Sequence, residues 1–217
     1  MHFRFYILFI MAVLCNLPAF GTVLYYQDTA AGEFGTVHLT GTPSGYTVES
    51  MNQHADSMIY SLDTNCATLT WRYINDQTNT ALSVSRSGDM LIALGIFNGR
   101  KFSKTYKIDS NPWFQVWNLP AEVFVRSGTK SVRFWSIDPQ KVDRIVRFEF
   151  TPLKPDTIQY QGVMIPVRHL QVALTGIRSA FFKGDYWLRE SDYRVIRSRM
   201  PRGIGKKPTA SELVKEE

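Results

Sequence analysis

Short runs of alternating apolar and polar residues, separated by turn residues, make up most of this chain. Residues 36–40 and 46–50 alternate in this way, and a cluster of glycine, threonine, proline and serine joins them. Asn98 and Gly99 lie between two further runs and are the strongest hairpin signal, because both residues accept a positive φ. No long segment has the periodicity of an amphipathic helix. The pattern predicts about twelve antiparallel strands.

A sheet of this size is expected to curl. Native twist bends such a sheet into a half-barrel or an open barrel, and covering or closing it protects its edges. Residues 109–128 break the strand rhythm with two prolines and a dense apolar content. Asp109 or Ser110 is predicted to cap one short helix beginning near Pro112, and residues 120–125 to form a second. The predicted fold class is mostly β: a large curled antiparallel sheet with a short helical or irregular insertion.

The chain is expected to divide into three parts. Arg4, the apolar run of residues 5–15 and the small residues Ala19 and Gly21 follow the order of a secretory signal, so residues 1–21 are predicted to be removed. An apolar run of this length is too short to span a bilayer comfortably. Residues 22–199 are predicted to form a single β domain, and the Gly-, Pro- and charge-rich residues 200–217 a flexible tail or a short helix.

The two cysteines give little redox chemistry to the mature protein. Cys15 lies in the predicted signal and Cys66 alone remains, so the mature chain has no intramolecular disulfide. Lipidation of Cys15 is a competing hypothesis, but Leu14 is a poor fit for the residue before a modified cysteine. Cys66 is predicted to be a small buried hydrophobe, because no neighbouring histidine supports a catalytic thiol.

The net charge suggests an anionic partner, but the scattered charges favour a role in solubility alone. The net charge is +6 at pH 7, and the sequence pI is about 9.3. A basic balance suits lipid head groups, acidic polysaccharide or nucleic acid, whereas charges that are scattered and not blocked are expected to serve solubility alone. Nucleic acid is not expected as a partner of an exported protein. The oligomeric state is left open.

No catalytic motif is found in the context that it requires. Ser127 and Lys130 match the bare S-x-x-K spacing, but the segment holds a glycine and the companion motifs of that class are absent. His38, His54 and His169 are isolated in the sequence. No metal site, no cofactor and no catalytic residue is therefore predicted, and a non-enzyme is favoured without excluding an enzyme.

Aromatic side chains are the best candidates for a binding site. The insertion is predicted to lie across the open side of the sheet, where its aromatics would border an apolar cavity suited to a lipid-like ligand. For the cluster as a whole, the favoured interpretation is that these side chains are simply the core of a large sheet. The predicted ligand-binding residues are Trp113, Phe114, Trp117, Trp135, Tyr186 and Trp187.

Four segments carry a resemblance to a known group. They are residues 107–115 (KIDSNPWFQ), 174–179 (LTGIRS), 184–189 (GDYWLR) and 191–194 (SDYR). Together they resemble secreted bacterial proteins of the domain-of-unknown-function 3108 type, over residues 57–198. The resemblance implies a periplasmic antiparallel half-barrel, similar in outline to carriers and sensors of the lipoprotein-localisation type, and it implies no catalytic residues.

Three functions are compatible with these sequence features. The leading hypothesis is a non-enzymatic envelope protein, in the periplasm of a Gram-negative bacterium, that holds a hydrophobic or amphiphilic ligand in a β half-barrel. The expected partners are a lipid, a lipoprotein or an anionic membrane surface. The second hypothesis is an envelope interaction or assembly protein with no small ligand. The third is a hydrolase whose residues meet only in space.

Overall fold

The computed structural model describes residues 21–29, 32–52, 56–176, 182–201 and 208–217. The predicted signal before Gly21 lies outside the described residues, as do Cys15 and His54. The described elements, in chain order, are β1 (Thr22–Asp28), β2 (Phe34–Thr42), β3 (Gly45–Asn52), β4 (Ser57–Leu62), β5 (Thr68–Asn75), β6 (Thr80–Ser87), β7 (Met90–Phe97), β8 (Arg100–Lys107), α1 (Asn118–Ser127), β9 (Val132–Ile137), β10 (Ile145–Pro152), β11 (Asp156–Tyr160), β12 (Val163–Leu174), β13 (Lys183–Arg189), β14 (Val195–Met200) and β15 (Thr209–Glu216).

All described strands belong to one 15-stranded sheet. Its order is β8-β7-β6-β5-β4-β3-β2-β1-β15-β14-β13-β12-β10-β9, with β11 paired to β12 beside this path. Every strand pairing is antiparallel. Strands β8 and β9 end the order and do not pair with each other, so the sheet is not closed into a barrel. The predicted fold class, a curled antiparallel sheet with a short helical insertion, is confirmed.

The last described segment is a strand inside the sheet. Strand β15 pairs with β1 on one side and with β14 on the other. Val23 and Glu217 exchange two backbone hydrogen bonds of 2.8 and 2.9 Å, and the side chain of Leu213 is fully buried. The prediction of a flexible tail is therefore wrong for residues 209–216. Their charges sit on a strand whose backbone groups are paired on both sides, and charge content does not reveal such pairing.

The insertion contains one helix, α1, and the helix predicted near Pro112 is absent. Asp109 does not cap a helix, because its carboxylate accepts hydrogen bonds from the backbone and side-chain N–H groups of Asn111. Helix α1 ends where Gly128 takes a left-handed φ of 68°, and the Gly128 N–H donates to the Val125 carbonyl at 3.3 Å. The second predicted helix is therefore confirmed, two residues longer at each end.

The Asn98–Gly99 hairpin is confirmed. Both residues have a positive φ, 50° and 73°, and the flanking residues Phe97 and Arg100 form the last pair of β7 and β8. This is the geometry of a two-residue turn whose backbone twist matches that of its strands.

Buried side chains form three clusters. The first lies on the inner face of the meander β2–β8 and contains Trp71, Trp113 and the fully buried Cys66, which confirms Cys66 as a packed small hydrophobe. The second lies under α1, and the third lies beneath β11. Val195 belongs to the second cluster and Ile196 to the third. Adjacent strand residues point to opposite faces, so the sheet is covered on both faces here.

Candidate functional site

An apolar pocket of about 240 Å³ lies between α1, β9 and the turn before β5. The helix contributes Pro120, Val123, Phe124 and Ser127 to its wall. These residues recur every three or four positions, so they share one face of the helix. The remaining lining residues are Asn65, Ala67, Pro112, Phe114, Thr129 and Val132.

The pocket has an apolar interior and a polar mouth. Phe114, Phe124 and Ala67 are buried, whereas Asn65, Ser127 and Thr129 are exposed. The Ser127 and Thr129 hydroxyl oxygens lie 2.8 Å apart. This arrangement presents hydroxyl and amide groups to solvent and hydrocarbon to the inside.

Packed phenylalanine rings make the inner wall rigid. The ring centroids of Phe114 and Phe134 are 5.1 Å apart, and those of Phe134 and Phe150 are 4.6 Å apart. Phe124 of α1 stacks on Phe150 at 5.9 Å. Aromatic pairs at these separations add favourable contact energy to that of burial alone. One side of the pocket is therefore fixed by the second cluster.

The insertion also covers the outer edge of β9. Trp113 and Trp135 form a parallel bridge, in which the Trp135 N–H donates to the Pro112 carbonyl and the Phe114 N–H to the Trp135 carbonyl, both at 2.9 Å. On its other side, the Trp113 carbonyl accepts from the Thr68 N–H at 2.7 Å. The segment thus connects the end of the sheet to the start of β5 and holds Phe114 in the pocket wall.

The Gln115 side chain completes this cover. Its amide Nε2 donates to the Ile137 carbonyl at 2.8 Å, and its Oε1 accepts from the Ile137 N–H at 3.0 Å. The same Oε1 accepts from the Trp113 indole N–H at 3.0 Å. A single side chain therefore satisfies two backbone groups of β9 that no strand pairs.

Asp109 anchors the beginning of the insertion. Its carboxylate accepts from the Trp135 indole N–H at 2.8 Å and pairs with Arg147 at 2.6 Å. The Arg147 guanidinium lies 4.3 Å from the Trp135 ring centroid. The Trp135 hydrogen bond, with those of Asn111 and the charge of Arg147, lowers the pKa of the Asp109 carboxyl to about 2. The anchor is therefore ionised throughout the physiological range.

A buried carboxyl ties α1 to β14. Glu122 accepts from the Val195 N–H at 3.1 Å, and its other oxygen lies 3.4 Å from the Arg194 guanidinium. Burial raises the pKa of Glu122 to about 7, although Arg194 and the Val195 hydrogen bond act in the opposite direction. The helix is thus held on its second side by a group that titrates near neutrality.

The structure distributes the six predicted ligand-binding residues over the molecule. Phe114 lines the pocket, and Trp117 packs against Phe134 at a centroid separation of 5.8 Å. Tyr186 belongs to the same cluster under α1. Trp113 and Trp135 belong to the first cluster and Trp187 to the third. Neighbours such as Tyr186 and Trp187 point to opposite faces of the sheet, so the six do not surround one cavity.

Sequence reasoning missed the helical wall. The sequence predicts a short helix that contains Pro120, Val123 and Phe124, but it predicts no site there. The spacing of these three residues places them on one face of the helix, and this spacing is the signal that could have identified the wall. The other walls include the small side chains of Ala67 and Val132, which do not stand out in the sequence. Ligand contact at the six predicted residues stays a prediction.

The described residues hold neither a cation site nor a helical membrane span. No three His, Cys, Asp or Glu side chains among them lie close enough together to bind a metal ion. No helix in this part of the chain has the length and apolar character needed to cross a membrane.

Comparison with known proteins identifies the fold. No family model matches the chain, and no curated protein matches its sequence. The chain is similar to a solved structure, the β-barrel-like protein of domain of unknown function DUF1849 from Brucella abortus. The TM-score is 0.62 at 10% identity, covering 91% of this chain and 96% of the other. At that identity the likeness establishes a shared β-barrel-like fold alone.

A weaker similarity involves an outer membrane lipoprotein-sorting-type domain from Vibrio parahaemolyticus. The TM-score is 0.35 at 10% identity, covering 91% of this chain and 85% of that domain. A score this low carries no argument. The first similarity supports the open β-barrel-like fold that the resemblance to the 3108 type implies. Membership of that type stays a prediction.

Proposed function

We propose that this is a non-enzymatic protein of the bacterial envelope that holds a hydrophobic or amphiphilic ligand in the pocket under α1. The observation that carries the proposal is the pocket itself: about 240 Å³, with buried phenylalanine and alanine side chains inside and exposed polar groups at its mouth. A periplasmic location and membership of the 3108 type belong to the same proposal. They rest on the signal-like residues 1–21 and on the four resembling segments.

The pocket volume favours a single chain or ring as the bound part. It is below the roughly 300–1,000 Å³ of sites for drug-sized ligands and above the roughly 150 Å³ of an apolar cavity that holds benzene. An acyl chain would lie against the buried Phe114 and Phe124, and its head group would stay at the mouth beside Ser127 and Thr129. Burial of the chain supplies the binding energy, at roughly 25 cal/mol for each Å² of apolar surface removed from water.

The experiment is a titration with a fluorescent fatty acid. Wild-type protein should bind it saturably, and Val123→Phe should weaken binding by at least about ten-fold, because the larger side chain fills the pocket. Val163→Phe is the matched control: it makes the same change at a residue of the β11–β12 hairpin that is 62% exposed and does not line the pocket. It should leave the dissociation constant within about two-fold of wild type.

Tryptophan emission supplies a second readout. Trp117 contacts Phe134, which packs on the lining residue Phe114. Occupation of the pocket should therefore shift the emission, and Trp117→Phe should reduce that shift while the probe still binds. Absence of saturable binding by wild type, or equal weakening by Val123→Phe and Val163→Phe in folded protein, would contradict the proposal.

A further inference from the structure

An exposed aliphatic stripe runs along the outer face of β7. Met90, Leu94 and Ile96 are exposed by 40%, 53% and 38%, and Ile92 between them is half-buried. Leu91 and Ala93 point to the other face and are fully buried. Four successive outward positions of one strand are therefore aliphatic, over a length of roughly 20 Å. Contiguous exposed apolar surface of this kind indicates an interaction site.

The neighbouring strands leave this stripe raised above the sheet. The outward residues of β6 that pair with it are small, and so are the two central outward residues of β8. All of these neighbours are exposed: Ala81, Ser83, Ser85, Ser87, Ser103 and Thr105. The longer aliphatic side chains of β7 therefore project beyond them and contact whatever lies against this face first.

Positive charge stands at both ends of the stripe. Lys107 pairs with Met90, and Lys101 pairs with Ile96, so both ammonium groups belong to the same outward face. Arg72 lies on this face as well, one strand beyond Ser83. Strands β5–β8 contain no aspartate or glutamate in their described length. The surface therefore combines an aliphatic ridge with cations, and the acidic residues between these strands, Asp76 and Asp89, lie in turns.

We infer that this face lies on the surface of an anionic phospholipid bilayer, with the ridge inserted among the acyl chains near the head groups. Cations within a Debye length of an anionic leaflet contribute attraction additively, and aliphatic side chains gain by burial in its boundary. The charge and the apolar ridge are thus complementary to the two layers of one partner. This surface is separate from the pocket, and the inference does not depend on the ligand proposed above.

A second copy of this chain and a different protein partner both fit the surface less well than a membrane. A second copy pairing edge to edge would set β8 against β8 in antiparallel register, and Arg100 would lie close to Lys107 of the copy. Like charges directly opposite each other destabilise a strand pair. The cores of protein interfaces are enriched in aromatic residues and depleted in lysine, serine and alanine, whereas the outward positions of β6–β8 hold no aromatic residue and surround the ridge with lysine, serine and alanine.

The test is co-sedimentation with vesicles, using the form that begins at Thr22 so that residues 5–15 contribute nothing. This form keeps every described strand. Vesicles of phosphatidylcholine with a minor share of phosphatidylglycerol should bind the protein, and vesicles of phosphatidylcholine alone should bind it much more weakly. Replacing Lys101 and Lys107 with glutamine should reduce binding to anionic vesicles roughly five-fold for each lysine. Leu94→Ser combined with Ile96→Ser should reduce it by at least about ten-fold.

Matched controls separate this face from general stickiness. Val163→Ser with Met164→Ser removes side chains that are each 62% exposed on the β11–β12 hairpin. Lys130→Gln with Lys141→Gln removes two exposed charges elsewhere. Both control pairs, and the pocket variant Val123→Phe, should bind vesicles within about two-fold of wild type. Because Val123→Phe changes only ligand binding, failure of one proposal is distinguishable from failure of the other.

Four results would overturn the inference. The first is equal binding of the wild-type protein to anionic and neutral vesicles. The second is an equal loss of vesicle binding in the stripe variants and the control variants. The third is a wild-type dimer that Leu94→Ser with Ile96→Ser converts to a monomer. The fourth is binding of an acidic peptide such as polyglutamate through Lys101 and Lys107 without binding to vesicles. Thermal unfolding of each variant confirms that the compared proteins are folded.

Discussion

The two ends of the sheet are protected in different ways. At the β9 end, residues 112–115 lie against the strand, and Gln115 satisfies both backbone groups of Ile137. At the β8 end, the strand carries Arg100, Lys101, Lys104 and Lys107 and ends the described strand order. Charged residues, lysine above all, are a known protection of exposed sheet edges against pairing.

The difference has a functional consequence. The cover of the β9 edge also supplies a wall of the pocket, whereas the β8 edge is protected mainly by charge and stays accessible to an anionic partner. Side chains do connect the two ends, because the Lys104 ammonium donates to the Asp143 carbonyl at 2.8 Å and the Tyr106 hydroxyl donates to the Val142 carbonyl. The five predictions below test whether stability depends on the covered end and surface properties on the open one.

Trp113→Ala should have the largest effect. Trp113 is fully buried between the two halves of the sheet and bridges to Trp135. Its truncation leaves a large cavity and should lower the free energy of unfolding by about 3–5 kcal/mol. Urea denaturation measures this loss. Lys101→Ala at the open end is the control and should change stability by less than about 0.5 kcal/mol; similar losses would show that the covered end is not special.

Stability should fall as the pH rises toward and beyond neutrality. Burial raises the pKa of Glu122 from 4.5 to about 7, so the native state holds a proton that the unfolded state releases. The protonated Glu122 contributes its full stabilisation below pH 4.5, the pKa in the unfolded state. This stabilisation, about 3 kcal/mol in total, is lost as the pH rises through the native pKa of about 7. Glu122→Gln should flatten the dependence in urea titrations across this range. The charges of Arg194 and Arg126 lower the pKa of the same carboxyl, and the charge of Asp192 raises it. A wild-type curve that is flat, or that Glu122→Gln leaves unchanged, would contradict the assignment.

Gln115→Ala should cost about 1–3 kcal/mol, because it leaves the Ile137 N–H and carbonyl without partners at the covered edge. Gln115→Glu is an informative companion. It keeps an acceptor for the Ile137 and Trp113 N–H groups, and its protonated carboxyl can donate to the Ile137 carbonyl, whereas its carboxylate would set two acceptor oxygens against each other. Below about pH 4, where the carboxyl is protonated, its loss should therefore be the smaller of the two, and the reverse order in chemical denaturation at that pH would argue against this capping.

Gly99→Val should cost about 1–2 kcal/mol at the open end, since it forces a β-branched residue into a positive φ. A Cβ at Gly99 would meet only the Asn79 side-chain nitrogen at 3.7 Å, so the cost comes from the backbone and not from a clash. The melting temperature measures it. Gly99→Asn, which tolerates the left-handed region better, should recover most of the loss.

Lys101→Ala with Lys107→Ala should have the smallest effect on stability, under about 0.5 kcal/mol for each residue. Its effect should instead be on association, because it removes charge beside the exposed stripe and edge. Sedimentation velocity should show more self-association than in wild type. A variant that stays as monodisperse as wild type would mean that these lysines do not guard the edge.

Local patterns predicted the elements whose structure depends on near neighbours. The hairpin was predictable from Asn98 and Gly99, because these two turn residues lie between alternating runs. The burial of Cys66 was predictable from the apolar run beside it. The helix at residues 120–125 was also recognisable, although its pocket-lining face was not identified as a site. For the turn and the helix, the determining interactions lie within a few residues along the chain.

The sequence alone therefore determined the strand alternation, the turns, the basic balance and the presence of an aromatic insertion. Tertiary structure decided that β15 joins the two halves of the sheet, that the insertion covers β9, and that the aromatics divide among three clusters. Tyr160, for example, donates its hydroxyl to the Leu213 carbonyl across 53 positions. Such contacts depend on which distant strands are brought together, and strand periodicity fixes the face of a residue without fixing its partner.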